Sequence, residues 1–228
     1  MRRADVNGAT RRLASGVDEV WVMNPWMRRN DPAQFNGQDE PLANVRDCLV
    51  AMPGSAGDLA MRVAAARAAG APSVVRVCPG PRGHGYPLES WAMSPIPELC
   101  EREDLALVVD FGERSDYPWS ELVAFARSYS RLAIVALGAP LSGPTAARAL
   151  DATPNLIFDT SGLEGAPIAS LVASLAASHG AYRLVFGSGR SGVTADDIAA
   201  VLGGEDSEMV LSATARRLDK GSWGNEFL

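Results

Sequence analysis

Seven short apolar segments recur along the chain at nearly constant spacing, and this recurrence restricts the fold more than any other feature. Their centres lie roughly 23 to 32 residues apart, the repeat expected when each strand of a parallel sheet returns through a crossover helix. Their nearly continuous Val, Ile and Leu content is typical of strands that are buried on both faces. The predicted strands are residues 19–23, 47–52, 73–78, 105–110, 132–137, 155–159 and 183–186.

The segments between these strands carry helix signals. Residues 55–69 are rich in Ala and stop at Gly70, residues 119–129 follow Pro118, and Thr194 is placed to cap a helix that runs to Leu202. Alternating strands and helices predict an α/β fold, a class that includes the (β/α) barrel of the TIM type. A length of 228 residues suits one such barrel, so we expect a single domain over residues 1–228.

Charge and hydropathy exclude two classes of partner. The net charge is −6, the pI is about 5.0, and the arginines are scattered rather than clustered on one stripe, so the sequence gives no sign of nucleic-acid binding. No stretch approaches the roughly 18 apolar residues of a membrane span, and no apolar segment follows Arg2 and Arg3 as it would in a secretion signal. We therefore expect a soluble, cytoplasmic protein without a membrane partner.

The residues that usually hold metals are few and dispersed. Cys48, Cys78 and Cys100 are widely spaced within apolar segments, as expected of reduced core thiols. The two histidines, His84 and His179, lie too far apart in sequence to give a pair at ligand spacing. The sequence predicts neither a metal nor another cofactor.

Several segments resemble the amidohydrolase-related metal-dependent hydrolases, which are TIM barrels. The turn from Phe186 to Gly189 resembles the Phe-Gly-Ser-Asp turn that ends the last strand of that family, with glycine where the family has its metal-binding Asp. The resemblance continues, in the family's order, through residues 16–22, 75–79, 99–109, 155–162 and 213–218. It implies an amidohydrolase-like barrel with seven recognisable strands and a first strand that is missing or altered.

The metal ligands that the family requires are not found at the matching positions. The His-x-His pair of the first strand has no counterpart, the fifth-strand His is replaced near Asp110, and the sixth-strand His-x-Gly pattern is Leu137-Gly138. We therefore expect a degenerate member of the family without a catalytic metal. The missing strand has two interpretations: a natural seven-strand barrel, favoured by Met1, or a piece of a longer protein. An open barrel exposes sheet edges, which proteins cover either by dimerisation or by a helix, for which residues 1–15 are the local candidate. We expect a homo-oligomer, most simply a dimer.

Two residues are candidates for acid–base chemistry. His84 lies in a loop that resembles the Pro-x-x-His-x-Tyr/Phe-x-Leu loop of a divergent branch of the family, and histidine titrates near neutral pH. Asp110 ends a predicted strand at the edge of the sheet where barrel enzymes place functional groups. The alternatives are an ordered loop histidine without a catalytic role and an aspartate that caps the following turn.

Five residues are candidates for binding a substrate. Arg190 lies where glycines and a helix start favour anions. Arg76 lies in an apolar strand, so its side chain is either inside the barrel, paired with Asp110 or Asp159, or outside between helices. Trp26 and Tyr86 belong to the two long loops that follow strands. Asp159 ends the seventh predicted strand.

These observations favour three hypotheses for function. The first is a degenerate amidohydrolase-like protein with a pocket for a small, anionic molecule, without a catalytic metal, and with at most residual metal-free hydrolase or lyase activity. The second is a metal-dependent hydrolase or decarboxylase that is completed by a missing N-terminal segment or a partner subunit. The third is a non-catalytic assembly subunit. Whether the chain is an enzyme stays open at this point.

Overall fold

A sheet of six parallel strands forms the centre of the computed structural model, which describes residues 19–22, 45–112, 116–141, 143–162, 168–187 and 193–221. The strands pair in the order in which they occur along the chain, as expected when every connection is a crossover through a helix. The parallel α/β architecture predicted from the spacing is therefore confirmed. The six strands are β3 (Leu49–Ala51), β4 (Val74–Val77), β5 (Ala106–Asp110), β6 (Ile134–Leu137), β7 (Leu156–Asp159) and β8 (Leu184–Val185).

Two further strands form a separate parallel pair. These are β1 (Val20–Val22) and β2 (Val45–Asp47). The prediction of one strand over residues 47–52 is wrong in this respect, because Cys48 separates β2 from β3. The physical reason is a change of partner: residues 45–47 bond to β1 on one side, and residues 49–51 bond to β4 on the other. A single seven-stranded sheet is not present in the described residues.

Helices lie between the strands, as the alternation predicts. Capping is clearest at Thr194, whose side chain accepts a hydrogen bond from the backbone N–H of Asp197 while the Asp197 carboxylate accepts one from the N–H of Thr194. The α-helices are α1 (Leu59–Ala68), α2 (Ser90–Met93), α3 (Pro95–Arg102), α4 (Trp119–Ser128), α5 (Pro144–Ala152), α6 (Ile168–His179), α7 (Ala195–Val201), α8 (Gly204–Glu208) and α9 (Thr214–Asp219).

The six-stranded sheet buries both of its faces, and the two faces differ. One face packs against helices: Val75, Val77 and Leu107 share a cluster with Leu99 and Leu122. The other face holds a smaller cluster of residues that lie mostly in or next to strands, namely Cys48, Val74, Ala106, Val108, Ala133, Val135, Ile157 and Leu218. Side chains alternate between faces along a strand, so this second set defines the inner face, which corresponds to the interior of a barrel.

A charged cluster at the N-terminal side of the sheet joins the last helix to the strands. Arg46 Nη1 lies 2.7 Å from Asp219 Oδ2, and Arg46 Nη2 lies 3.2 Å from Asp219 Oδ1. Asp219 Oδ1 also accepts a hydrogen bond of 2.8 Å from the backbone N–H of Ser73, just before β4. The last helix is thereby tied to two strands. The opposite, C-terminal ends of the strands are left for the loops that carry the candidate residues.

No helix in the described part of the chain is long and apolar enough to cross a membrane. This finding agrees with the expectation from hydropathy. The prediction of one domain over residues 1–228 stays a prediction.

Candidate functional site

Three charged residues predicted from the sequence lie together at the C-terminal ends of the inner face. Side chains two residues apart in a strand point to the same face, and each of the three lies two residues after a member of the inner-face cluster. These cluster members are Val74 before Arg76, Val108 before Asp110 and Ile157 before Asp159. Asp110 and Asp159 are the last residues of β5 and β7. Strand polarity and alternation together therefore place a cation and two carboxylates at one end of the sheet, where barrel proteins have their functional groups.

Arg76 and Asp110 form a buried ion pair. Arg76 Nη2 lies 3.1 Å from Asp110 Oδ2, with side-chain exposures of 14% and 1%. In the sheet Arg76 pairs with Val108, so Asp110 is two residues further along the same face, a distance that the long arginine side chain spans. The other carboxylate oxygen, Oδ1, accepts a hydrogen bond of 2.8 Å from the backbone N–H of Gly112. Asp110 thus both pairs with Arg76 and shapes the turn after β5.

One donor of the Arg76 guanidinium has no acceptor among the described residues. Its Nε atom is buried and has no hydrogen-bond partner among the described residues. Burial, the largest single effect, lowers the pKa of Arg76, but the charge of Asp110 together with the smaller effects of Cys48, Cys78 and Asp159 leaves this pKa above its ordinary value. The site therefore holds a permanent cation with an N–H group available to an acceptor.

Asp159 is a buried carboxyl group of the site whose pKa is raised. Its Oδ1 accepts hydrogen bonds of 2.8 Å from the backbone N–H of Gly138 and 2.6 Å from Ser161 Oγ. Burial nevertheless raises the pKa of Asp159 from 3.8 to about 6, against the opposing effects of Ser161, Gly138 and the charge of Arg76. A carboxyl group with this pKa can donate or accept a proton near neutral pH.

Glycines permit the close packing around Asp159. A Cβ atom on Gly187 would lie 2.1 Å from Asp159 Oδ2, and one on Gly162 would lie 1.8 Å from the carbonyl oxygen of Ala139. Thr160 Oγ1 bridges to Gly187, since it lies 3.0 Å from both the backbone nitrogen and the carbonyl oxygen of that residue. The loops after β6, β7 and β8 therefore meet at the Asp159 carboxylate.

Tyr117 adds a polar group that the sequence analysis did not single out. The residue is 6% exposed, and its hydroxyl is buried without a hydrogen-bond partner in the described residues. Its ring packs edge-on against Phe111, with centroids 5.3 Å apart, and tilted against Trp119 at 4.9 Å. Burial, followed by the charges of Asp159 and Asp110, raises the pKa of Tyr117, so its phenol stays protonated. No local sequence pattern marks this residue, because its aromatic contacts are made in the tertiary structure.

The loop after β4 contains Tyr86 and His84. Burial, followed by the charge of Cys78, raises the pKa of Tyr86, and a hydrogen bond with the backbone of Cys78 partly opposes this rise. His84 is half-buried, its backbone N–H donates to the carbonyl of Cys78 at 2.7 Å, and its ring stacks on that of Tyr86 with centroids 6.1 Å apart. Cys78 also lies within electrostatic range of Arg76. Cys78 thus connects this loop to the ion pair.

The predicted site residues therefore divide into three sets. Arg76, Asp110 and Asp159 are brought together, and of the two placements considered for Arg76 the structure has the inner one. His84 and Tyr86 form a neighbouring pair in the β4 loop. Trp26 and Arg190 lie outside the described residues.

The described side chains do not suit the divalent metal that the family resemblance would imply. No three His, Cys, Asp or Glu side chains in that part of the chain lie close enough to hold an ion. The two carboxylates of the site share their surroundings with the Arg76 guanidinium, 3.1 Å from Asp110, and a cation beside it would be repelled. No metal-dependent step is derived for this site.

Comparison with known proteins supports the fold and leaves the activity open. No protein-family model and no curated protein matches the chain. The crystal structure of an uncharacterized TIM-barrel protein from Bordetella bronchiseptica superimposes with a TM-score of 0.66 over 93% of this chain and 82% of that one, at 15% sequence identity. At this identity the likeness concerns the fold alone, and it confirms the prediction of a TIM-type α/β fold.

Proposed function

We propose that this protein binds a small, anionic molecule at the C-terminal end of its inner face, without a catalytic metal, as a degenerate amidohydrolase-like barrel. The observation that carries the proposal is the Arg76 Nε–H, a buried donor on a permanent cation for which the described residues offer no acceptor. Buried donors are almost always satisfied. An oxygen of a bound anion would supply the missing acceptor.

The charge balance of the site makes anion binding depend on Asp159. Asp110 already offsets the charge of Arg76, so an ionised Asp159 gives the cluster a net negative charge and repels an anion. Protonated Asp159 removes this repulsion. Anion binding is therefore expected to be accompanied by proton uptake, and Arg190, outside the described residues, is proposed to add a second positive charge from the last loop.

Any residual chemistry would be metal-free acid–base catalysis. Asp110 is a weaker candidate than the sequence suggested, because its carboxylate is engaged by Arg76 and Gly112. Asp159, with its pKa near 6, is the better proton donor or acceptor, and His84 is the neighbouring candidate. In a lyase reaction such a group would move a proton to or from the bound substrate, and in a hydrolase reaction it would also have to activate a water molecule that attacks the substrate carbonyl.

The pH dependence of anion binding tests the proposal. Wild-type protein is expected to bind one of the probes acetate, succinate and benzoate roughly tenfold more tightly at pH 5.5 than at pH 7.5. The reason is that Asp159 is mostly protonated, and therefore uncharged, at the lower pH and ionised at the higher one. Isothermal titration calorimetry at both pH values measures this ratio. Asp159→Asn should bind with little pH dependence, and the exposed Asp58→Asn should behave like wild type.

Two results would overturn the proposal. One is that none of the three anions binds, and the other is that the purified protein contains a stoichiometric divalent metal, which would favour a metal-dependent hydrolase. His84→Gln separates a histidine contribution to the pH profile from that of Asp159. The expected homodimer stays a prediction, which native mass spectrometry tests.

A further inference from the structure

We propose that the bound anion is a carboxylate with an apolar body, and that Leu137 is the residue that selects this body. The inference rests on the proposed function and extends it to a substrate class and to a residue outside the binding candidates identified from sequence. It is carried by the strand register, the exposure of the side chains and the charge balance at the C-terminal end of the inner face.

The strand register places Leu137 between the two carboxylates of the site. Leu137 of β6 pairs with Asp110 of β5, and Asp159 of β7 pairs with Val185 of β8. The register between β6 and β7 makes Leu137 the neighbour of Asp159 as well. Both Leu137 and Val185 pack against the inner-face cluster. Asp110, Leu137, Asp159 and Val185 therefore form one row across four strands of the inner face.

Exposure along this row is the reverse of what side-chain chemistry favours. Asp110 and Asp159 are 2% and 3% exposed, whereas Leu137 and Val185 are only partly buried. Soluble proteins usually expose carboxylates and bury leucines. The row thus presents apolar surface beside buried charged groups, the combination that is typical of small-molecule sites.

The row two residues earlier in the strands closes the site towards the barrel interior. Val108, Val135 and Ile157 are paired across β5, β6 and β7, and they are 8%, 4% and 0% exposed. The interior is therefore already packed at this level, and the accessible apolar surface begins at Leu137. A ligand that covers Leu137 removes apolar surface from water, which favours binding.

Position and charge connect this surface to the anion-binding group. Arg76 Nη2 lies 3.1 Å from Asp110, and Leu137 is on the next strand, about 5 Å further across the sheet. A carboxylate bound at Arg76 can therefore extend its attached group over Leu137. Asp110 offsets the charge of Arg76, so with Asp159 protonated the described cluster has no surplus positive charge for a second carboxylate, and the charge proposed for Arg190 balances the first.

A comparison of two ligands in wild type tests the apolar body. At pH 5.5 benzoate is expected to bind at least about tenfold more tightly than acetate, because both carry one carboxylate and only the apolar body differs. Titrations followed by NMR measure both dissociation constants. Comparable affinities would overturn this inference while leaving the proposed anion site intact. Failure of acetate, succinate and benzoate all to bind would overturn the proposed function itself.

Leu137→Ala tests the selecting residue. The variant is expected to lower the affinity for benzoate about fivefold and to leave that for acetate unchanged, because its smaller side chain offers less apolar surface to the ring. Leu137→Met keeps an apolar side chain of similar size and should retain the wild-type preference. Leu171→Ala is the matched control, since Leu171 is also partly buried but packs in the helix-covered cluster, and it should change neither affinity.

The acetate affinity separates a ligand contact from a structural role of Leu137. If Leu137→Ala weakens acetate and benzoate equally, the residue supports the site instead of contacting the ligand body, and the inference is wrong. Benzoate binding as tight as in wild type would contradict it in the same way. A loss of the benzoate preference in Leu137→Met as complete as in Leu137→Ala would show that apolar surface is not what the ligand requires.

Discussion

Replacing Arg76 by methionine is expected to lower the free energy of unfolding by about 3–5 kcal/mol, the cost of leaving a buried carboxylate without its partner. Asp110 has a side-chain exposure of 1%, and Arg76 Nη2 is its charged neighbour at 3.1 Å. Methionine has a similar length but no charge, so Asp110 would have to stay ionised in an apolar environment or take up a proton. Urea unfolding at pH 7 measures the difference.

The control for this variant is an ion pair in a different environment. Arg67 Nη1 lies 3.8 Å from Glu103 Oε2, and both side chains are more than a third exposed. Arg67→Met should therefore lower the free energy of unfolding by less than about 1 kcal/mol. The double variant Arg76→Met/Asp110→Leu removes both charges and should recover most of the lost stability. If Arg76→Met lowers the free energy of unfolding no more than Arg67→Met does, Arg76 and Asp110 do not form a buried ion pair.

Asp159→Asn is expected to stabilise the protein by up to about 3 kcal/mol above pH 6. The pKa of Asp159 is raised from 3.8 to about 6 by burial, so between these values the folded state binds more protons than the unfolded state. The free energy of unfolding therefore falls as the pH rises from about 4 to about 6. Above pH 6 the ionised, buried Asp159 lowers the free energy of unfolding by its full amount, about 3 kcal/mol. Asparagine keeps an oxygen for Gly138 and Ser161 and carries no charge.

The measurement is the difference in unfolding free energy between Asp159→Asn and wild type at pH 4 and pH 7.5. It should be near zero at the lower pH and at its largest at the higher one, whereas Asp58→Asn should show no such trend. A stabilising substitution that also removes the pH dependence of anion binding is the trade-off expected at a functional carboxylate. A variant that is less stable than wild type at pH 7.5 would contradict the raised pKa.

The strand positions could be predicted because they depend on local apolar content. Strands β4 to β8 all lie within the segments identified from sequence. The break at Cys48 could not be predicted in this way, because it arises from a change of hydrogen-bond partner. The tertiary structure determines which strands pair, and this cannot be inferred from local composition.

The site was predictable in part for the same reason. Asp110 and Asp159 follow apolar strands, so their location at the C-terminal edge could be inferred from topology. Arg76 was ambiguous, since a single arginine among apolar residues is compatible with either face until the partner is known. Tyr117 gave no signal at all, because its buried position depends on an aromatic cluster that forms only in the tertiary structure.

Sequence resemblance and fold likeness carry different weight for function. The resemblance to amidohydrolases stays a prediction, because the TIM-barrel neighbour shares 15% of its residues and supports the architecture alone. Barrels of this type host many chemistries. The functional argument therefore depends on the arrangement of Arg76, Asp110 and Asp159 rather than on family membership.

Two-dimensional 1H–15N NMR of the arginine Nε–H groups at pH 5.5 tests the anion site most directly. The resonance of Arg76 is assigned by its loss in Arg76→Lys. On titration with the anion that binds most tightly among acetate, succinate and benzoate, this resonance should shift saturably, because Arg76 Nε–H gains its acceptor. A resonance that stays in place while the ligand saturates elsewhere on the protein would contradict the proposed site.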